Sequence, residues 1–304
     1  LVLGVQSHVF TLNDSGGEQR SWATLDLEIV AAYTRYRVPE LISIFTVLAG
    51  LIFGSFLNVC ISRLPQHESI VRPRSRCPVC RSPISSWDNI PILSWILLRG
   101  RCRACRSHIS RRYPLIEATT AALFLLSILQ FGMSFQGVAA CVLCWLLLGL
   151  AAMDAETMLL PDALTVPGTA LGVAYSGFYA GEHFFAWRAA GESLLAAAVA
   201  AAFIMLIRWL YWLARRREGI GLGDAKLLAM IAAWMGLWQA GLALFLAVVA
   251  AAAYGLILIA LRRRLATASK LALRIPLGAF LGAGGIFALF EGMDALKWYF
   301  DLYR

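Results

Sequence analysis

Residues 241–261 read Gly-Leu-Ala-Leu-Phe-Leu-Ala-Val-Val-Ala-Ala-Ala-Ala-Tyr-Gly-Leu-Ile-Leu-Ile-Ala-Leu, and Arg262-Arg263-Arg264 follow at once. No charge or proline interrupts the run. A helix needs about 20 such residues to cross the hydrocarbon of a bilayer, so this stretch reads as a membrane span stopped by arginines. Working outward, seven further stretches are apolar enough to join it: 40–61, 115–133, 136–153, 165–181, 193–213, 224–239 and 275–293. All are read as helices, because lipid offers an open sheet edge no hydrogen-bond partner. The expected fold is an all-α polytopic membrane protein with about eight transmembrane helices.

Composition agrees. The 304 residues are 60% hydrophobic and 15% charged, with mean hydropathy +0.70. Soluble domains run at about 45–50% apolar and about 25% charged. Disorder, a collagen-like fibre and a small disulfide-stapled domain are excluded. The net charge of +9 would suggest nucleic acid in a soluble chain. Here it is read as topology instead, with membrane lipid as the partner and no nucleic acid.

The connections are unequal. Residues 62–114 form one long polar insertion with 11 Lys/Arg against two acids, Glu68 and Asp88. In an eight-span arrangement the insertion shares a side with 208–222 and 262–274. Twenty of the 27 basic residues then lie on that side. The positive-inside rule makes it cytoplasmic and puts both termini outside. The expected organisation is an extracytoplasmic segment 1–38, a first transmembrane helix 39–61, a cytoplasmic four-cysteine insertion 62–114 and a transmembrane core 115–304. Residues 1–38 do not resemble a signal peptide. Trp22, Leu25, Ile29, Tyr33 and Tyr36 recur there at helical spacing. An interfacial amphipathic helix and a loosely ordered tail both stay open.

Four of seven cysteines sit in the insertion as Cys77-Pro-Val-Cys80 and Cys102-Arg-Ala-Cys105. Each C-x-x-C presents two thiolates to one ion, and two such knuckles complete a tetrahedral, zinc-ribbon-like site that suits zinc. Four thiolates leave no open coordination position, so the zinc is expected to be structural. The competing reading, two disulfides, conflicts with a cytoplasmic location. Cys141-x-x-Cys144 lies in a span and reads as apolar packing.

Ionisable residues at membrane depth are functional candidates by default. Asp154 closes the third span, and Asp224 opens the sixth behind Gly219-Ile-Gly-Leu-Gly223. The topology puts both at the cytoplasmic edge. If spans three and six pack together, the two carboxyls share a site and cannot easily both ionise. One then retains a proton while the other activates water, which is aspartic-protease chemistry. Asp224 also reads as a helix N-cap. Asp162, after Pro161, favours an N-cap role. Glu156 is read as solvated or as a supporting partner. Lys226, two residues beyond Asp224, falls off that helical face.

These pieces in one order resemble the type IV prepilin peptidase family, the prepilin leader peptidase/N-methyltransferases. The resemblance runs from about Gly54 to Leu281. It is carried by Gly54-Ser-Phe-Leu-Asn-Val59 with Arg63-Leu-Pro65, then by Arg72-Pro-Arg-Ser-Arg-Cys-Pro-Val-Cys80 and Asn89-Ile-Pro-Ile-Leu-Ser-Trp95. Leu98-Arg-Gly-Arg-Cys102 and Ile109-Ser-Arg-Arg-Tyr-Pro-Leu-Ile-Glu117 follow, then Asp154 with Leu160-Pro-Asp162, and Gly221-Leu-Gly-Asp224-Ala-Lys226. Arg274-Ile-Pro-Leu-Gly-Ala-Phe-Leu281 resembles the family's Pro-Phe-Gly-Pro pattern, with Leu277 and Ala279 substituted, and this departure is expected not to touch the aspartates.

The resemblance implies a multi-pass aspartic endopeptidase of the bacterial inner membrane. Its substrates would be type IV prepilin or pseudopilin precursors, cut at the cytoplasmic face with Asp154 and Asp224 as catalytic residues. The insertion implies the bifunctional form, which methylates the new N-terminus with S-adenosylmethionine. No glycine-rich signature locates that donor's site, and the sequence does not set the oligomeric state. Two rivals remain. A presenilin-like intramembrane protease also uses G-x-G-D, but with a Tyr-Asp where this chain has Met153-Asp154. A non-enzymatic zinc-ribbon adaptor or a transporter is the other, although transporters place ionisable residues near mid-bilayer.

Overall fold

The computed structural model describes residues 39–72, 74–181, 184–217, 221–264 and 275–302. The reading of residues 1–38 lies outside these, as do Glu218 and the basic residues Lys270 and Arg274. The described residues are helical apart from loops and two isolated bridges. Helix α1 spans Glu40–Arg63, and a five-residue α2 (Leu93–Leu97) lies within the insertion. Then come α3 (Arg112–Phe131), α4 (Phe135–Thr157), α5 (Asp162–Ala180) and α6 (Trp187–Arg215). The last three are α7 (Leu222–Met235), α8 (Leu237–Arg264) and α9 (Leu277–Asp301).

The eight apolar stretches thus fall largely on eight long helices. Six of these, α1, α3, α4, α6, α8 and α9, are long and apolar enough to cross a membrane. Helices α5, with 19 residues, and α7, with 14, lie outside that set. At 1.5 Å per residue α7 is about 21 Å long, short of the ~30 Å hydrocarbon core.

The shortest of the eight is nonetheless among the most enclosed. Leu227, Met230, Ile231 and Ala232 of α7 are fully buried. They pack in one core with Leu57 of α1, Leu147, Leu150 and Met153 of α4, and Leu281 of α9. Small residues bring the helices close, as expected where lipid tails remove the hydrophobic drive between them. A Cβ added at Gly54 of α1 would sit 2.7 Å from the Glu117 Cα of α3, and one at Gly50 would sit 2.5 Å from the Ala121 Cα.

A helix that stops inside a packed bundle must satisfy its last carbonyls. Gly236 ends α7 with φ +83°, which a residue without a Cβ adopts cheaply, and its N–H donates to Ala232 O. Ser193 of α6 and Ser176 of α5 both donate to Ala233 O, at 2.7 and 3.3 Å. Beyond this end lies a cavity of about 330 Å³ lined by Gln136, Tyr175, Tyr179, Trp234 and Gln239 among others. The candidate site lies at the other end of α7. There the C-terminus of α4 meets the N-termini of α7 and α9, and the insertion joins α1 to α3.

Candidate active site and metal centre

Asp154 sits in the last turn of α4 and is 5% exposed. Its Oδ2 accepts the N–H of Ala279 at 2.9 Å, and the Gly278 N–H also donates to this carboxylate. Both donors lie in the first turn of α9, where N–H groups have no partner within the helix. Pro276, at the N-cap, offers no side-chain cap. Asp154 therefore caps a helix to which it does not belong.

Asp224 is the third residue of α7 and accepts the N–H of Gly221, the N-cap residue. That is one half of a capping box, with the acid rather than the cap reaching back. The sequence reading of Asp224 as the N-cap itself shifts by three residues. The two carboxyls lie close enough for their charges to interact directly. Leu160, in the loop between α4 and α5, wedges beside them. A Cβ on Gly223 would meet Leu160 Cβ at 2.9 Å, and one on Gly278 would meet Leu160 Cδ1 at 3.0 Å and Asp154 Cγ at 2.9 Å. Glycine at 223 and 278 is what lets three helix ends close around the pair.

Asp162 departs from its expected role. Pro161 occupies the N-cap of α5, and Asp162, the first helical residue, bonds Lys226 Nζ at 2.5 Å. Lys226 turns from Asp224, as its spacing requires, and serves α5 instead. Glu156 is paired with Arg112 of α3, whose other terminal nitrogen donates to Ser62 Oγ at 2.9 Å. Arg112 thus ties the return of the insertion to the last turn of α4, two residues beyond Asp154. Nothing in the hydropathy pattern signals this bond. The expectation that the substituted α9 start does not touch the aspartates is overturned: Ala279 bonds Asp154 across 125 residues, a separation at which no sequence pattern reports contact.

The insertion repeats one unit twice, Arg76-Cys-Pro-Val-Cys-Arg-Ser82 and Arg101-Cys-Arg-Ala-Cys-Arg-Ser107. The backbone repeats too. Arg81 and Arg106 both have positive φ, and their N–H groups return to Cys77 O and Cys102 O at 2.9 and 3.0 Å. Each knuckle ends in an isolated bridge, Arg76 with Pro83 and Arg101 with His108. The four thiols lie within 4.8 Å of one another, and Cys77 Sγ is 3.8 Å from Cys105 Sγ. A tetrahedron with Zn–S of about 2.3 Å has edges of about 3.8 Å, so the set fits zinc. The Cys80 N–H, other backbone donors and the Ser107 hydroxyl pull the Cys77 thiol down to about 6, which eases formation of the thiolate a metal needs.

Little else orders the insertion. Between Ser62 and Arg111, only Cys77 and Gly100 are buried among the described residues, while Trp87 is 79% exposed. Arg103 clasps Asp88 with two nitrogens, holding that carboxyl below its ordinary value. Buried Glu117 of α3 accepts the Ile92 N–H at 2.7 Å and anchors the insertion to the bundle. Cys141 and Cys144 are buried in α4, Cys141 against Phe124 and Ile128 and Cys144 beside the Ser127 hydroxyl.

Comparison with known proteins covers both halves of this arrangement. Residues 48–131 match the Bacterial Peptidase A24 N-terminal domain, and residues 141–256 match the Type IV leader peptidase family. A prepilin leader peptidase/N-methyltransferase of Burkholderia pseudomallei strain 1026b is 39% identical over 274 residues, 82% of this chain and 85% of that protein. Its namesake in Aeromonas salmonicida strain A449 is 35% identical over 290 residues, 86% of this chain and 95% of the relative. That of Myxococcus xanthus strain DK1622 is 42% identical over 206 residues, 68% of this chain and 59% of that protein. No solved structure matches at a significant level. The first match takes in the insertion and its two flanking helices, the second takes in both aspartates, and the identity runs through nearly the whole length: the chain belongs to the type IV leader peptidase family.

Proposed function

We propose that this chain is an aspartic endopeptidase that removes the leader of type IV prepilin-like precursors at the cytoplasmic face of the bacterial inner membrane. The observation that carries the reading is the meeting of Asp154 and Asp224. They come from helices 70 residues apart in sequence and share one end of the bundle, each anchored by backbone N–H donors. Anchoring on one side leaves each carboxyl a direction in which to address a water between them. One aspartate takes a proton from that water as it attacks the scissile carbonyl. The other, protonated, supports the developing oxyanion and then gives its proton to the leaving amine. The pair titrates as a unit.

The insertion supports a second activity, methylation of the newly exposed N-terminus with S-adenosylmethionine as donor. The relatives' names include it, and the match at residues 48–131 covers the insertion. Cys77, Cys80, Cys102 and Cys105 would hold one zinc ion, whose contribution is structural because four thiolates close its coordination sphere. Exposed Trp87, Leu93, Ile96 and Leu97 lie on the insertion among its arginines, a composition suited to anionic headgroups.

Cleavage of a purified prepilin in detergent, followed by mass spectrometry of the product, tests both steps. Asp154→Asn and Asp224→Asn should each abolish cleavage while the protein still accumulates in the membrane. Processing by either variant at a near wild-type rate would refute the dyad. Labelling of Cys80 from outside intact cells by an impermeant thiol reagent would overturn the cytoplasmic placement.

A further inference from the structure

Among the described residues, two buried side-chain polar atoms have no hydrogen-bond partner, Asn58 Oδ1 and Arg112 Nε. One is an acceptor and the other a donor. Buried polar groups are almost always paired, so each calls for an account. The two residues are neighbours. Asn58, 2% exposed in the last two turns of α1, donates Nδ2 to Tyr113 O at 3.1 Å, and Tyr113 follows Arg112 in the chain. Arg112 Nη2 donates to Ser62 Oγ, one turn on from Asn58. Ser62 cannot serve Asn58 Oδ1, because its single hydroxyl proton goes to the Asn58 backbone carbonyl at 2.9 Å.

The nitrogens Nε and Nη2 of a guanidinium point the same way and form a fork that fits a carboxylate. Arg103 shows the fork filled, since the same two nitrogens clasp Asp88. In Arg112 the fork is half filled. Nη2 meets only the Ser62 hydroxyl, Nε is unpaired, and Nη1 on the far side holds Glu156. A carboxylate-shaped donor edge thus lies beside an unused amide acceptor. That combination complements an α-amino acid, whose carboxylate and ammonium leave one carbon.

We propose that Arg112 and Asn58 bind the methionine end of S-adenosylmethionine, Arg112 Nε donating to its carboxylate and Asn58 Oδ1 accepting from its ammonium. The inference rests on the methylation reading. The place suits the chemistry. Glu156, held by Arg112, follows Asp154 by two residues in the last turn of α4, so the methyl donor would sit at the end of the bundle where cleavage frees the new N-terminus. Both residues fall within the match at 48–131, where the insertion rejoins the bundle. The Arg112 side chain is 22% exposed, which puts the cluster just beneath the surface.

The test is calorimetric titration of the purified full-length protein in detergent with S-adenosylmethionine, its decarboxylated form and 5′-methylthioadenosine, which lacks both carboxylate and ammonium. Wild type should prefer S-adenosylmethionine over the decarboxylated form by about 10- to 100-fold, the range for hydrogen bonds to a charged group. Arg112→Lys keeps a cation for Glu156 but removes the fork, so that preference should vanish. Asn58→Leu should weaken both amine-bearing ligands by about tenfold. Both variants should bind 5′-methylthioadenosine as wild type does, and ligand-free thermal unfolding checks that each is folded. Equal losses for all three ligands would mean that the residues only support the fold, and would overturn the proposal. Unchanged S-adenosylmethionine affinity in both variants would overturn it too. If neither variant accumulates, wild type alone decides, because indifference to the carboxylate rules the site out. No binding of S-adenosylmethionine by wild type would instead remove the methylation reading beneath it, so the two failures are told apart.

Discussion

Gly54→Ala should loosen the joint that carries the insertion while sparing the aspartates. The added methyl would sit 2.7 Å from Glu117 Cα and 3.1 Å from Thr120 Cβ. Carbon pairs rest at about 3.5–4.0 Å, so roughly 1 Å is missing. The nearest obstacle is backbone and cannot rotate aside, so α1 and α3 must part by about that distance. Overpacking of this kind costs about 1–3 kcal/mol. The strain falls where Glu117 accepts the Ile92 N–H, so the insertion should lose its anchor first. Thermal unfolding of the purified protein in detergent should show a lower midpoint. Limited proteolysis should cut the insertion sooner than in wild type. Methylation should fall more than cleavage, because Asp154, Asp224 and the α9 start lie on other helices. A midpoint equivalent to wild type within about 0.5 kcal/mol, the ordinary range of a neutral surface change, would refute the claimed close approach.

Cys77→Ser should leave less than one zinc per chain by metal analysis and reduce methylation before cleavage; full zinc occupancy in that variant would remove Cys77 from the ligand set. Arg112→Met breaks both the Glu156 pair and the Ser62 bond. With side chains 22% and 38% exposed, the loss in stability should be about 1–2 kcal/mol, and the charge-swapped double variant Arg112→Glu with Glu156→Arg should recover part of it. No recovery would mean the pair itself contributes nothing. Lys226→Met, which breaks an exposed pair, should cost less than about 1 kcal/mol and cleave near normally; abolished cleavage would place Lys226 in the reacting centre.

Hydropathy located the helices because each needs its own apolar run, and that property is local. It blurred the boundary between α7 and α8. The reading 224–239 continued through Gly236, since Gly-Leu-Trp is as apolar as a helix interior, whereas the chain turns there on a positive φ. The cysteine knuckles were fully legible, because their ligand spacing is itself the geometry. That Asp154 and Asp224 fall at one end of the bundle was legible from the order of the apolar stretches, but their anchors were not. Backbone N–H groups of Gly278 and Ala279 carry no signature in residue type, and contacts across 125 residues leave no periodic trace. Asp162 was misjudged for a related reason. An acid after a proline suits the start of a helix in general, but only the packing of α5 on α7 could present Lys226 to it.

The shortness of α7 falls on its protein neighbours. At about 21 Å the helix is shorter than a hydrocarbon core of about 30 Å, but Leu227, Met230, Ile231 and Ala232 are fully buried, so the shortfall is met inside the bundle, by the cavity bounded by Trp234 and Gln239. The Ala233 carbonyl of its last turn is met by serines of α5 and α6, not by lipid or headgroup water. The height at which α7 presents Asp224 is therefore set by the longer helices around it, and on the proposed mechanism a change of acyl-chain length should leave the spacing of the two aspartates alone.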